Sequence, residues 1–156
     1  MFTIGATPRP TGLGVQDYGG GVKQLNLCPP SPNCVSTSEG ANDVQHYVPA
    51  WTYDPKKSGK TREQAMAELA KVVAESKPDG FTPTIIKQTD DYLYAEYQSP
   101  TFGFIDDVEF WIKDNTQVEY RSASRIGESD GDINRKRIRA LRRALEPLGW
   151  KSLAQM

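Results

Sequence analysis

The chain has 156 residues, of which 37% are hydrophobic and 25% are charged, and its formal net charge is -1. This length predicts one domain, and the composition is typical of a globular protein. No apolar stretch approaches the roughly 20 residues that span a bilayer, so we predict no membrane span and leave peripheral membrane association open.

The first 27 residues carry mostly loop signals. Pro8, Pro10 and the glycines at 19–21 favour turns, and few apolar residues lie among them. We therefore expect an extended N-terminal arm at 1–27, followed by a single α+β domain at 28–150 and a C-terminal tail at 151–156. The arm has four apolar residues through which it is expected to dock: Phe2, Leu13, Val15 and Leu25.

Two cysteines bracket the next loop, Cys28-Pro-Pro-Ser-Pro-Asn-Cys34. Its three prolines restrict how far the ends can separate, so we predict that the sulfurs lie within bonding distance. An oxidising compartment favours a disulfide, and a reducing one favours a buried thiol pair. Two cysteines do not complete a structural zinc site, and His46 has no matched second ligand, so neither a metal nor a cofactor is predicted.

Periodicity predicts the remaining elements in chain order. A strand at 46–53 precedes a helix at 61–76, where Thr61 and Gln64 have the spacing of a capping box. Four more strands and a final helix follow, at 82–88, 92–98, 104–112, 117–125 and 133–145.

The links between these four strands are short, which favours antiparallel neighbours. The predicted order is β-α-β-β-β-β-α. We therefore predict an α+β fold with a single antiparallel sheet of about five strands and two helices packed on one face. Leu69, Val72, Ile138 and Leu141 are expected to be buried between the helices and the sheet.

The last hairpin of this sheet predicts a polar cluster. If Asp114 and Asn115 form a two-residue turn, Asp106 stands opposite Ala123 and diagonal to Arg121 and Arg125. A carboxylate between two guanidinium groups forms either a structural ion-pair network or the base of an anion pocket. Asp107, the next residue, points to the opposite face.

The stretch from residue 121 to 143 combines a polar strand, a Gly- and Asp-rich turn and a basic helix. It holds eight cationic residues, which are Arg121, Arg125, Arg135, Lys136, Arg137, Arg139, Arg142 and Arg143. The rest of the chain is therefore acidic, and the basic helix is expected to contact an acidic partner or to be a solvated face. The candidate ligand- or anion-binding residues are Asp106, Arg121, Ser122, Ser124, Arg125, Asn134, Arg135 and Arg137.

Three segments together resemble the family named domain of unknown function 1499. They are Cys28-Pro-Pro-Ser-Pro-Asn-Cys34-Val-Ser-Thr, Gly103-Phe-Ile-Asp-Asp-Val-Glu-Phe110, and the run from Arg121 through Gly127 to Arg137. The resemblance implies a plastid or cyanobacterial type of member, located in the chloroplast at the thylakoid or in the cyanobacterial equivalent. It implies no reaction, substrate or cofactor.

Three functions are compatible with these observations. The favoured one is a non-catalytic binding or assembly protein in a larger, photosynthetic or thylakoid complex, contacted through the arm, the basic C-terminal helix or both. The alternative is a small domain that binds an anionic ligand. A hydrolase-like enzyme, with Asp106 or Asp107 as base or Cys34 as nucleophile, is less favoured, and no catalytic residue is assigned. Nucleic-acid binding is excluded because the aromatic-rich strands are acidic.

Overall fold

Antiparallel strands and short helices make up the computed structural model, which describes residues 7–114, 117–127 and 131–155. The strands are β1 (Gln16–Asp17), β2 (Lys23–Gln24), β3 (Cys34–Ser36), β4 (Trp51–Thr52), β5 (Thr82–Gln88), β6 (Tyr92–Gln98), β7 (Ile105–Asp114), β8 (Gln117–Ser124) and β9 (Lys151–Ser152). The α-helices are α1 (Pro55–Ser58), α2 (Arg62–Glu75) and α3 (Ile133–Leu145). Short 3-10 turns cover Pro78–Gly80, Glu146–Leu148 and Leu153–Gln155.

The predicted fold class is wrong in its sheets and in its helix number. The main sheet has seven strands in the order β5-β6-β7-β8-β4-β9, with β3 also paired to β8, and β1 and β2 form a second sheet. Within the described ranges there are three α-helices rather than two. The missed strands have two or three residues each, too few for an alternating pattern to be read from the sequence. The strand predicted at 46–53 is reduced to Trp51–Thr52, after Pro49, which lacks an N–H for the ladder.

The two long helices lie where periodicity placed them. At the start of α2, the Thr61 side chain accepts from the Gln64 N–H, and the Gln64 side chain accepts from the Thr61 N–H, which confirms the capping box. Helix α3 covers Ile133–Leu145, as predicted. Both pack on one face of the main sheet, where Leu69, Ile138 and Leu141 are buried and Val72 is half-buried.

The N-terminal arm lies on the opposite face of the sheet. Leu25 is buried against Tyr92, Tyr94 and Trp111, and Leu13 and Val15 pack against the same group. Docking through these three arm residues is thereby confirmed, and Phe2 lies outside the described residues. The sheet is thus covered on both faces, by helices on one and by the arm on the other.

A register shift in the last hairpin decides which face each polar residue takes. Ile112 pairs with Val118, but Asp114 pairs with Gln117, so β7 carries one extra residue at Lys113. As a result Asp106 pairs with Ser124 and Asp107 pairs with Ala123, and the predicted pairing of Asp106 with Ala123 is wrong. A bulge of one residue moves every partner to the other face because side chains alternate along a strand.

Candidate functional site

A buried ion pair joins the sheet to helix α3. The Asp106 Oδ2 lies 2.7 Å from Nη2 of Arg137, and the two side chains are only 3% and 1% exposed. The Arg137 guanidinium carbon also lies 4.8 Å from the ring centres of Phe81 and Tyr97. A charge-assisted hydrogen bond and contacts with two ring faces together compensate the cost of burying the cation.

Serine and asparagine side chains extend this pair into a network. The Arg137 Nη1 donates to Ser122 Oγ at 3.1 Å and to Asn134 Oδ1 at 2.9 Å, and the Ser122 hydroxyl donates to Asn134 Oδ1 at 2.6 Å. The Asn134 amide in turn donates to the Ser124 Oγ at 3.0 Å. Four predicted site residues on β8 and α3 therefore meet Asp106 in one buried network.

The disulfide loop is attached to the same network. Cys28 and Cys34 form a disulfide with an S–S distance of 2.05 Å, which confirms that prediction. Between them, Asn33 donates from its side chain to the carbonyls of Ile126 and Gly127, and its own carbonyl accepts from the Asn134 amide. The loop therefore holds the turn after β8 against the start of α3.

An open cleft of about 250 Å³ lies beside the network. Its walls are apolar, and its polar lining comes from Asp106, Ser124 and Gly127. Phe104 and Ile126 are 37% and 39% exposed and form part of its mouth. The other apolar lining residues are Phe81, Ile105 and Ile133.

The polar lining has unused hydrogen-bonding capacity. Asp106 is bonded to Arg137 through Oδ2, whereas its Oδ1 has no side-chain partner in the part of the chain that the structure describes. Behind the cleft lining, Arg137 Nε and the Tyr97 hydroxyl are buried and also lack hydrogen-bond partners among the described residues. The Asp106 carboxylate is an acceptor on the cleft lining, so this end of the cleft favours a ligand that carries a hydrogen-bond donor.

The predicted cluster of Asp106 with Arg121 and Arg125 is wrong, because the register places both arginines on the opposite face. Arg125 bonds to both oxygens of Asp107, at 3.0 and 2.9 Å, and to Glu96 at 2.6 Å. These bonds, above all those to Asp107, hold the pKa of Arg125 above its ordinary value. With two carboxylates already at this guanidinium, its surroundings do not favour a further anion.

Arg121 and Glu109 are the second charged pair under the arm. Arg121 Nη1 lies 3.9 Å from Glu109 Oε2, and Arg121 donates to the Leu27 carbonyl. Glu109 Oε1 accepts from the Gly14 N–H at 2.6 Å and from the Tyr92 hydroxyl at 2.7 Å. Burial raises the pKa of Glu109 despite these donors and the nearby Arg121.

Arg135, the last predicted site residue, lies outside both clusters. It donates to the backbone carbonyls of Val44, Gln45 and Tyr47 and lies 3.5 Å from Asp132. Arg135 therefore fastens the 44–47 loop to α3.

Two patterns in the sequence indicate the observed site. Asp106 is in step with Val108 and Phe110, which predicts a carboxylate on the core face. Asn134 and Arg137 have i,i+3 spacing, and Arg137 is next to the apolar residue Ile138, so both face the sheet. A buried carboxylate requires a cation beside it, and Arg137 is the cation on α3 that faces the sheet. The cleft walls, in contrast, come from four separated segments, and no local pattern unites them.

Comparisons with known proteins give one match. The family model described as Protein of unknown function (DUF1499) matches residues 24–145. No curated protein and no solved structure gave a match to the chain. Among the helices in the described ranges, none combines the length and the apolar composition that crossing a lipid bilayer requires.

Proposed function

We propose a binding function for this chain, which belongs to the family described as Protein of unknown function (DUF1499). In this proposal the protein is non-catalytic, and its cleft holds an apolar group. The observation that carries this proposal is the cleft beside Asp106, with five apolar lining residues and a buried carboxylate at its base. Ligand pockets in proteins commonly combine apolar walls with a few well-placed polar groups.

The size and charge of the cleft define the class of ligand. A cavity of about 150 Å³ holds a benzene ring, so about 250 Å³ accommodates a larger aromatic group or a medium-length alkyl chain. The Asp106–Arg137 pair is neutral as a unit, and the open acceptor belongs to the carboxylate. An uncharged ligand with a hydroxyl or amide N–H therefore fits better than the anionic ligand considered from the sequence.

The bonding of the nucleophilic groups supports binding rather than turnover. The Ser122 hydroxyl donates to Asn134, and both cysteines are joined in the disulfide. The His46 ring is bonded to the Asp43 carboxylate and to the backbone carbonyl of Ser31, and to no serine hydroxyl within the described ranges. The polar groups of the network thus bond mainly to one another, as in a rigid scaffold.

A titration with straight-chain alcohols tests the proposal. We expect amide NMR shifts at residues 104–106 and 124–127, with affinity rising about fourfold per added methylene until the cleft is full, because each buried methylene contributes about 0.8 kcal/mol. Phe104→Ala and Ile126→Ala should weaken binding several-fold. Val44→Ala, at a site 84% exposed, is the matched control. Equal binding of the corresponding carboxylates, or shifts scattered over the surface, would contradict the proposed ligand class.

A second candidate function is assembly through the basic face of α3. Lys136, Arg139 and Arg143 are exposed, and none has an ion pair within the described residues. The proposal is an acidic partner surface in a larger complex, with the chloroplast thylakoid or its cyanobacterial equivalent as the proposed location. We expect the wild type to recover a stable partner from native thylakoid membranes. The double variant Arg139→Glu/Arg143→Glu should not recover it. Equal recovery by this variant would exclude α3 as the contact.

A further inference from the structure

Glu39, Asp43 and His46 bring three metal-binding side chains together in the loop after the disulfide. One ligand atom from each residue lies within 4.8 Å of the other two. The spacing Glu39-x3-Asp43-x2-His46 is local, and the loop turns back on itself through the hydrogen bonds Asp43 N–H to Gly40 O and Tyr47 N–H to Asp43 O. We propose that these three side chains form a binding site for a divalent cation of the Zn²⁺ type.

The histidine is already oriented as a metal ligand. Its side chain is 7% exposed, and its Nε2 lies 2.8 Å from the Ser31 carbonyl. A carbonyl oxygen only accepts, so Nε2 carries the hydrogen. Nδ1 lies 2.9 Å from Asp43 Oδ2, a hydrogen-bond distance, so a metal ion binds Nδ1 by displacing the proton that these two groups share. Histidines that bind metals usually donate their other N–H to a carbonyl or carboxylate, as His46 does.

The surrounding loop fixes the other two ligands. Glu39 Oε1 accepts from the Cys28 N–H at 3.0 Å, which ties it to the disulfide. Asp43 Oδ1 accepts from the His46 N–H at 3.2 Å, which leaves Oδ2 on the side of the imidazole. Because both carboxylates are already held, a cation finds them partly ordered, and less conformational entropy is lost on binding.

The donor set selects a class of metal. Two carboxylates and one neutral imidazole give a local charge that a divalent cation neutralises. Imidazole nitrogen is a ligand of Zn²⁺ and neighbouring transition metals, whereas Ca²⁺ and Mg²⁺ prefer sites made of oxygen alone. Three protein ligands leave a fourth tetrahedral position open.

The single histidine of the chain makes the test direct. Zn²⁺ is titrated into the full chain, free of any histidine tag, and the imidazole nitrogens are followed by ¹⁵N NMR. We expect Nδ1 to change its chemical shift on metal binding while Nε2 keeps its hydrogen. Asp43→Asn and Glu39→Gln should each weaken Zn²⁺ binding by at least about tenfold, because even the loss of a group that only supports a metal ligand costs about that much. Glu63→Gln, at an exposed carboxylate on α2, is the control and should leave the affinity unchanged.

A second measurement needs no variant and therefore does not depend on whether the substitutions fold. Co²⁺ bound to the wild type should give visible absorption bands typical of nitrogen and oxygen coordination, and Zn²⁺ should remove them. An unchanged Nδ1 signal would overturn the proposal. The same conclusion would follow if Ca²⁺ competed as well as Zn²⁺, since that would indicate a nonspecific acidic surface.

Discussion

Asp106 and Asp107 are adjacent in the chain, lie on opposite faces of the sheet, and are both buried and paired with an arginine. Arg137 on α3 holds Asp106, and Arg125, which follows β8, holds Asp107. Each arginine has further partners, which are Ser122 and Asn134 for Arg137 and Glu96 for Arg125. Removing one member of such a pair leaves an uncompensated charge in a place with little water.

Asp106→Ala should therefore lower the free energy of unfolding by about 3–5 kcal/mol, measured by urea unfolding. The loss should shrink when Arg137→Met is added, because the stranded cation is then gone. Glu146→Ala is the control, since it removes an exposed i,i+4 partner of Arg142 and should cost less than about 1 kcal/mol. Similar small losses for Asp106→Ala and Glu146→Ala would show that the Asp106 pair is not buried in solution.

The buried carboxyl of Glu109 should make the stability of the protein depend on pH in a specific way. Burial raises its pKa above the ordinary 4.5, so the folded state favours the protonated acid. Because the pKa is raised, the stability that protonated Glu109 contributes is fully present below about pH 4.5. It is lost as the pH rises through the folded-state pKa. Glu109→Gln, which stays neutral, should therefore gain stability relative to wild type as the pH rises from 4.5, and the gain should level off above the folded-state pKa.

Urea unfolding of both proteins at intervals from pH 4 to pH 8 measures this difference. Groups other than Glu109 titrate alike in the two proteins and cancel. If the free energy of unfolding of Glu109→Gln instead fell relative to wild type as the pH rose, the prediction would be wrong. Gly14, Tyr92 and Arg121 would then stabilise the carboxylate more than burial destabilises it.

At the scale of elements, the loop from Cys28 to Cys34 and strand β3 join three parts of the fold. The disulfide closes the loop, Asn33 binds the turn at Ile126 and Gly127, and β3 pairs with β8 from Cys34 to Ser36. The loop thereby positions the turn that forms one wall of the cleft.

Reduction of the disulfide should lower the free energy of unfolding by about 2 kcal/mol, the loop-closure entropy expected for so short a loop. Unfolding curves with and without reductant measure the loss. The double variant Cys28→Ser/Cys34→Ser should not respond to reductant, which controls for other effects of the reagent. If the wild type were equally insensitive, the cross-link would not be contributing to stability.

At the scale of the whole molecule, the N-terminal arm is a structural part of the domain. It covers the face of the sheet that the helices leave open, and its Gly14 N–H donates to Glu109 Oε1. Leu25 has no exposed surface and contacts the aromatic residues of β6 and β7. An arm held in this way is not free to reach a partner through these residues.

Leu25→Ala should cost about 2–5 kcal/mol, as expected for truncating a buried leucine. Val22→Ala, on the same arm and 53% exposed, is the matched control and should change stability little. Thermal or urea unfolding of the two variants compares them directly. If the two variants lost similar amounts of unfolding free energy, or if neither lost any, the arm would not depend on Leu25 for its attachment.

The sequence by itself determined the features that depend on local chemistry. The capping box at Thr61, the bounds of α3, the central strands and the closeness of Cys28 to Cys34 follow from propensities, periodicity and short-range geometry. Tertiary structure alone decided the features that depend on distant partners. The bulge at Lys113 placed Arg121 and Arg125 on the face opposite to Asp106, and a one-residue shift has no clear signal in the sequence. The two-residue strands β4 and β9 exist because β8 and its neighbours supply their hydrogen bonds. The cleft exists because four separated segments pack beside one buried ion pair.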